Sequence, residues 1–285
     1  MKVAVTGSSG LLGSALADGF SKGHEVLRIT RALADVSQAE QIREVVRNFR
    51  PDVVIHSAAL RDPDQCELQK DFATAVNVEG TRNVVRAADE VGAAVAYIST
   101  DAVFDGQKAS PYTEEDPPAP VSFYGRTKLL GEEITRQQKE HWVFRMPVLF
   151  GPGPNSSLAS GLRALREGRE YAAASDQVGC VAHTEDAGGK IREVIEARAF
   201  GLFHLANQGA VSRLELARRA ASLAGLDPER VIGRTLAEMK RPGPRPRYVV
   251  MELAELRKRG FALPRPWEEA LSDYISWLKR VEAWT

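Results

Sequence analysis

The chain has 285 residues, enough for a large core, and its 38 basic and 38 acidic residues cancel to a formal net charge of zero. The two signs are interspersed and there is no basic excess, so nothing points to nucleic acid or an anionic membrane surface as a partner. No apolar run approaches the ~18 residues of a membrane span, and Cys66 and Cys180 have neither metal-ligand spacing nor the density of a disulfide scaffold.

The pattern opens with a β-branched strand, Lys2 to Thr6, followed at once by Gly7-Ser8-Ser9-Gly10-Leu11-Leu12-Gly13 and an apolar-periodic helix from Leu11 to Phe20. The glycines permit a tight turn and close approach to a pyrophosphate, which the helix N-terminus attracts through its N–H groups and dipole. Gly7, Ser9, Gly10, Leu11, Leu12 and Gly13 are therefore expected to hold a dinucleotide. With the glycine loop so close to Met1 there is no signal peptide, and a cytoplasmic protein is expected.

The second strand, Glu25 to Thr30, leads into Arg31. An acidic residue at this strand end would bind the ribose hydroxyls of NAD, whereas Arg28-Ile29-Thr30-Arg31 offers guanidinium groups to a 2′-phosphate. NADP(H) is the expected cofactor, gripped by Arg31 or alternatively Arg28. Asp35, followed by Val36, is placed either to accept from the adenine amino group or to cap a helix.

Pro51-Asp52 precedes the third strand, Asp52 to His56, whose end carries the small residues Ser57, Ala58 and Ala59 over which a cofactor can pass. His56 reads as a packed strand residue rather than a base. A long helix from near Gln69 closes at Gly92. The fourth strand, Ala94 to Ser99, ends in Thr100, which can either donate to a substrate carbonyl oxygen or cap a turn with Asp101.

Tyr124 and Lys128 stand four apart, so on a helix they share a face within about 40°. A phenol is a poor acid at neutral pH, and a nearby ammonium stabilises phenolate and lowers its pKa. The pair suits carbonyl reduction by a nicotinamide. A fifth strand, Trp142 to Met146, completes the alternation, and Pro147 just beyond it joins the expected cofactor-binding set.

This rhythm predicts an α/β fold: a Rossmann-type doubly wound parallel sheet in residues 1–150, then a smaller mixed α/β substrate-binding part in 151–285, with some later elements returning to the sheet. The run from Lys240 to Arg247 holds three prolines and four cations, so it reads as an exposed loop, either facing an anionic ligand or merely solubilising. The five histidines are scattered, and no metal site is expected.

Taken together, these features resemble the extended short-chain dehydrogenase/reductases, and more narrowly the dTDP-4-dehydrorhamnose reductase family. That family's Ser-Thr-Asp-Tyr-Val-Phe-Asp-Gly is matched from Ser99 to Gly106, with Ala102 in place of Tyr, and its Asn-Val-x-Gly-Thr and Asp-Gln-x-Gly segments at Asn77 to Thr81 and Asp176 to Gly179. Gly201 to Ala206 and Arg245-Pro246 extend the likeness over essentially the whole chain.

The resemblance implies Tyr124 as proton donor, Lys128 as its modulator and ribose ligand, and Thr100 as donor to the carbonyl oxygen. The substrate would be a 4-keto-6-deoxy sugar nucleotide, reduced by NADPH on the way to dTDP-L-rhamnose, with Asp64, Phe104 and Asn155 expected at the substrate. Arg145 to Gly151 lacks the family's Trp, which with Ala102 alters the pocket.

Another nucleotide-sugar reductase or epimerase is an alternative. So is an NADP-binding partner subunit similar to the beta subunit of methionine adenosyltransferase, which His56 to Ala59 with Arg61, and Glu114 to Pro120, also resemble. A homodimer is the default assembly.

Overall fold

Val3, Ala4 and Val5 are fully buried, and the strand they form, β1 (Lys2–Thr6), lies inside a six-stranded parallel sheet in the computed structural model, which describes residues 1–154 and 156–282. From there α1 (Leu11–Ser21), β2 (Glu25–Ile29), α2 (Ala39–Phe49) and β3 (Val53–His56) follow in order. After α3 (Pro63–Leu68) come α4 (Lys70–Thr74), a π-helical stretch at Ala75–Glu79 and α5 (Gly80–Asp89), which together form the long helix expected before Gly92. Then come β4 (Ala94–Thr100), α6 (Phe123–Thr135) and β5 (His141–Met146).

Every predicted strand is present with ends shifted by at most one residue; the inner strands β1, β3, β4 and β5 are mostly apolar runs buried on both faces, which marks a parallel strand from end to end, while β2 is a more exposed edge strand.

Beyond β5 the elements shorten: β6 (Val148–Phe150), α7 (Ser157–Arg166), β7 (Tyr171–Ala174), β8 (Val178–Gly179) and β9 (Val181–His183). The chain then re-enters the first half. Helix α8 (Thr184–Glu196) packs on α1, and β10 (Gly201–His204) adds to the sheet beside β5, giving the order β2-β1-β3-β4-β5-β10.

The remainder is β11 (Val211–Ser212), α9 (Arg213–Ala224), β12 (Val231–Arg234), α10 (Leu236–Met239), β13 (Tyr248–Val249), α11 (Ala254–Lys258) and α12 (Trp267–Val281). Its core gathers Leu162, Leu216, Trp267, Leu271 and Tyr274.

The proline-rich run is not free. Arg241 and Arg245 both reach Asp64, Gly243 N donates to the same carboxylate at 2.9 Å, and Arg247 approaches Asp176 at 3.5 Å. Three of its four cations thus meet protein carboxylates instead of an outside ligand.

At the centre of the fold, Glu132 of α6 accepts from Ser99 Oγ at 2.6 Å and from Arg145 Nε and Nη2 at 2.9 and 2.8 Å. Both charged residues are 1% exposed. Arg145→Met, which strands the carboxylate, is expected to lower unfolding stability by about 3–5 kcal/mol. Urea unfolding with an unchanged slope measures this, and Glu132→Leu/Arg145→Met should recover much of the loss.

Candidate functional site

Strand order reverses between β1 and β3, so the connections leaving their carboxyl ends run in opposite directions and leave a crevice, the place where open α/β sheets bind ligands. Gly7 turns there with φ +66°, and a Cβ on Gly13 would stand 2.1 Å from the Gly7 carbonyl oxygen, so only glycine lets α1 start this close to the strand. Thr6 Oγ1 accepts from Ser57 N at 3.2 Å and Ala58 N at 3.3 Å, which holds the ends of β1 and β3 in register. His56 is buried between Thr6 Oγ1 at 2.8 Å and Thr81 Oγ1 at 3.1 Å. Burial and then the Lys128 charge push its pKa down to about 3, so it is a neutral packing residue.

A cavity of about 370 Å³ follows this crevice. Gly7, Ser9, Gly10, Leu11, Leu12 and Gly13 line one side, with Ser57, Ala58 and Ala59 opposite. Arg31, Asp35 and Val36 close one end; Thr100, Tyr124, Lys128 and Pro147 close the other.

At the Arg31 end the guanidinium bonds Asp35 at 3.0 Å and lies 5.9 Å from the Phe72 ring. Partial burial raises the Asp35 pKa, but hydrogen bonds from Ser37 and Arg31 outweigh it and hold the carboxyl low. Asp35 does not cap α2, whose N-cap is Gln38; its carboxylate instead closes a turn onto Ser37 N at 2.9 Å. Arg28, the alternative to Arg31, lies elsewhere. It points out of the strand to Asp18 at 2.5 Å and is not part of the cavity wall, because strand alternation sends it away from the crevice.

At the other end Thr100 takes the capping role open to it. Its Oγ1 accepts from Ala102 N at 3.1 Å, capping the short turn at Asp101–Val103, and it also hydrogen-bonds the Tyr124 phenol. Ser122 caps α6 through Gly125 N at 3.0 Å, setting Tyr124 in the first helical turn and Lys128 one turn on.

Burial, with Asp101 and Cys66 adding to it, pushes the Tyr124 phenol far up, against the Thr100 hydrogen bond and Arg61. Burial drives Lys128 down to about 7 despite Glu132. The Lys128 ammonium lies over the Tyr97 ring, 4.1 Å from its centroid, a partner the sequence did not suggest.

Two expected substrate residues are placed elsewhere. Phe104 is fully buried, stacked on Tyr112 at 4.2 Å, and Asp64 pairs with Arg245. Partial burial raises the Asp64 pKa, but the Arg245 and Gly243 contacts outweigh it and hold the carboxyl at about 2. Asn155 lies outside the described residues.

Others went unassigned. Arg61 and Phe72 line the cavity, and Asn77 ties the loop after β3 to α6 by accepting from Leu60 N at 2.7 Å and donating to Leu60 O and Thr127 Oγ1 at 3.0 Å each. The matched Asn-Val-x-Gly-Thr segment was the available sign for Asn77. Among the described residues no cluster of His, Cys, Asp or Glu could hold a metal ion, and no helix is long and apolar enough to cross a membrane.

A glycine loop at the switch point, with a partly buried Tyr and a buried Lys one turn apart and a strand-end Thr, defines an extended short-chain dehydrogenase/reductase. Within that class the chain belongs to the family whose model is described as the RmlD substrate binding domain, which matches residues 1–280.

It is 35% identical over 280 residues to a dTDP-4-dehydrorhamnose reductase of Mycolicibacterium smegmatis, covering 96% of this chain and 85% of that one. It is 32% identical to the spore coat polysaccharide biosynthesis protein SpsK of Bacillus subtilis, covering 96% of each. Among solved structures, the dTDP-4-dehydrorhamnose reductase of Bacillus anthracis in complex with NADP superposes with a TM-score of 0.93 at 31% identity, covering 96% of this chain and 98% of that one.

Asn77→Ala would leave the Leu60 N–H and C=O without their partner. The expected cost is about 1–3 kcal/mol, with faster hydrogen exchange at the Leu60 amide; unchanged exchange there would show that Asn77 does not hold the loop.

Proposed function

We propose that this chain reduces the 4-keto group of a nucleotide-linked 6-deoxy sugar with NADPH, as dTDP-4-dehydrorhamnose reductases do in dTDP-L-rhamnose synthesis. The observation that carries this reading is the convergence of Tyr124, Lys128 and Thr100 at one end of a cavity whose wall is the glycine loop.

The cavity residues suit the cofactor. Backbone N–H groups at the start of α1 would face the pyrophosphate, and Ser57 to Ala59 leave room for the chain of the dinucleotide to cross the sheet edge. When bound, NADPH supplies the hydride that goes to the sugar carbonyl carbon.

The chain's own residues handle the proton. With its pKa raised, Tyr124 keeps its proton at neutral pH and is a stored acid; releasing it to the carbonyl oxygen requires a cation to stabilise the phenolate. Lys128 is that cation while protonated. Thr100 steadies the oxygen that receives the proton. Because the ammonium is lost as pH rises through about 7, activity should fall on the alkaline side.

Arg31 is the 2′-phosphate ligand in this reading. Its ion pair with Asp35 is at the surface, where such pairs contribute little, so the guanidinium can turn to a phosphate.

Loss of NADPH absorbance with dTDP-4-keto-6-deoxy-L-mannose tests the reaction. Wild type should turn over, and Tyr124→Phe and Lys128→Ala should each lose about 10²-fold or more in kcat. Wild type that binds NADPH yet oxidises it with neither this nor other 4-keto sugar nucleotides would overturn the proposal in favour of a partner subunit. For the cofactor, Arg31→Ala should raise KM for NADPH by about 10-fold or more and leave that for NADH nearly unchanged; an unaltered preference would count against Arg31.

A further inference from the structure

Lys128 is 3% exposed, and a buried ammonium has lost the water that stabilises its charge. What faces it decides whether it stays charged. From β3 comes His56, neutral because burial and Lys128 itself hold its pKa at about 3. From α3 comes Cys66, whose thiol is pushed up to about 11 by burial and by Asp62 and Glu67. On its own helix stand Tyr124, a protonated phenol, and Glu132, whose carboxylate is already shared with Arg145 of β5 and Ser99 of β4.

The remaining neighbour is Tyr97 of β4, and its contact is the most direct: the Lys128 Nζ is 4.1 Å from the ring centroid. The ring is fixed in place. Tyr97 is fully buried, its hydroxyl donates to the Lys128 backbone oxygen at 3.4 Å, and its edge fits under α6 so closely that a Cβ on Gly131 would stand 2.1 Å from Oη. Burial, the largest influence, raises the Tyr97 phenol well above its ordinary range, so what it offers the ammonium is a neutral π face and no anion.

We propose that Tyr97 is a positioning residue whose ring face seats the Lys128 ammonium and keeps it charged in a desolvated site. The negative face of an aromatic ring attracts a cation, and the attraction grows as water is excluded. The three elements act together: β4 presents the ring, Gly131 lets α6 settle on it, and the four-residue spacing from Tyr124 brings the ammonium to the acid's side of the helix. The proposal rests on reading Lys128 as the cation that serves Tyr124.

The test measures Lys128 directly. Its Nζ is titrated by NMR in protein labelled with ¹⁵N-lysine, the resonance being assigned by its loss in Lys128→Met. Tyr97→Leu, which removes the π face, should shift the titration to lower pH by about one unit or more, while Tyr97→Phe, which keeps the face, should stay within about 0.3 unit. Should Tyr97→Leu fail to fold, Tyr97→Met removes the face with less change of volume.

The alkaline limb of the kcat profile should move with the titration. A titration in the Leu or Met variant within about 0.3 unit of wild type overturns the proposal, and so does a Phe variant that shifts as far as they do. If wild type turns over no 4-keto sugar nucleotide while the Nζ titration moves as expected, the proposed reaction fails and the seating of Lys128 on Tyr97 stands.

Discussion

The buried carboxylate of Glu132 is the constraint around which the reactive end is built. It accepts from Ser99 at the end of β4 and from Arg145 in β5, so one side chain of α6 is bonded to two neighbouring strands of the sheet. Tyr124 and Lys128 lie two turns and one turn earlier on the same face, and Thr100 follows Ser99 directly. Locking Glu132 therefore sets where all three can be, with the rigidity that a fully desolvated, bidentate pair supplies.

The same pair extends into the second half of the molecule. The Arg145 guanidinium lies 5.1 Å from the Phe104 ring, which stacks on Tyr112 and meets His204 edge-on at 5.5 Å. Glu114 closes this column by accepting from His204 N at 3.0 Å and Glu255 N at 3.2 Å. The acidic run before Tyr124 thus begins with an internal tether, which explains a buried glutamate in a segment that reads as surface.

Electrostatically the site is governed by burial. It raises the phenol and lowers the ammonium, moving both members of the Tyr124 and Lys128 pair toward their neutral forms, and it lifts Asp101 to about 6 against the opposing charge of Arg213. Asp101 Oδ2 and Arg213 Nε have no hydrogen-bond partner among the described residues. A low-dielectric site with few fixed charges magnifies each one it keeps, which is why the setting of a single ammonium matters for the acid beside it.

Local features were legible in the sequence because each depends on only a few consecutive residues. β-Branched runs mark the buried parallel strands, Gly7 to Gly13 marks the turn into α1, and the four-residue spacing of Tyr124 and Lys128 sets a shared helix face. What no local pattern gave were contacts whose partners are distant in the chain. Asp64 meets Arg245 from 181 residues away, Phe104 is packed by residues of three other segments, and Arg28 is turned aside by Asp18 on a neighbouring helix. Sequence by itself determined the fold class, the glycine loop and the pairing of Tyr124 with Lys128. Only the tertiary structure decided which cations face the cavity and what Lys128 rests on, because burial and long-range contacts set those charges and no local pattern encodes them.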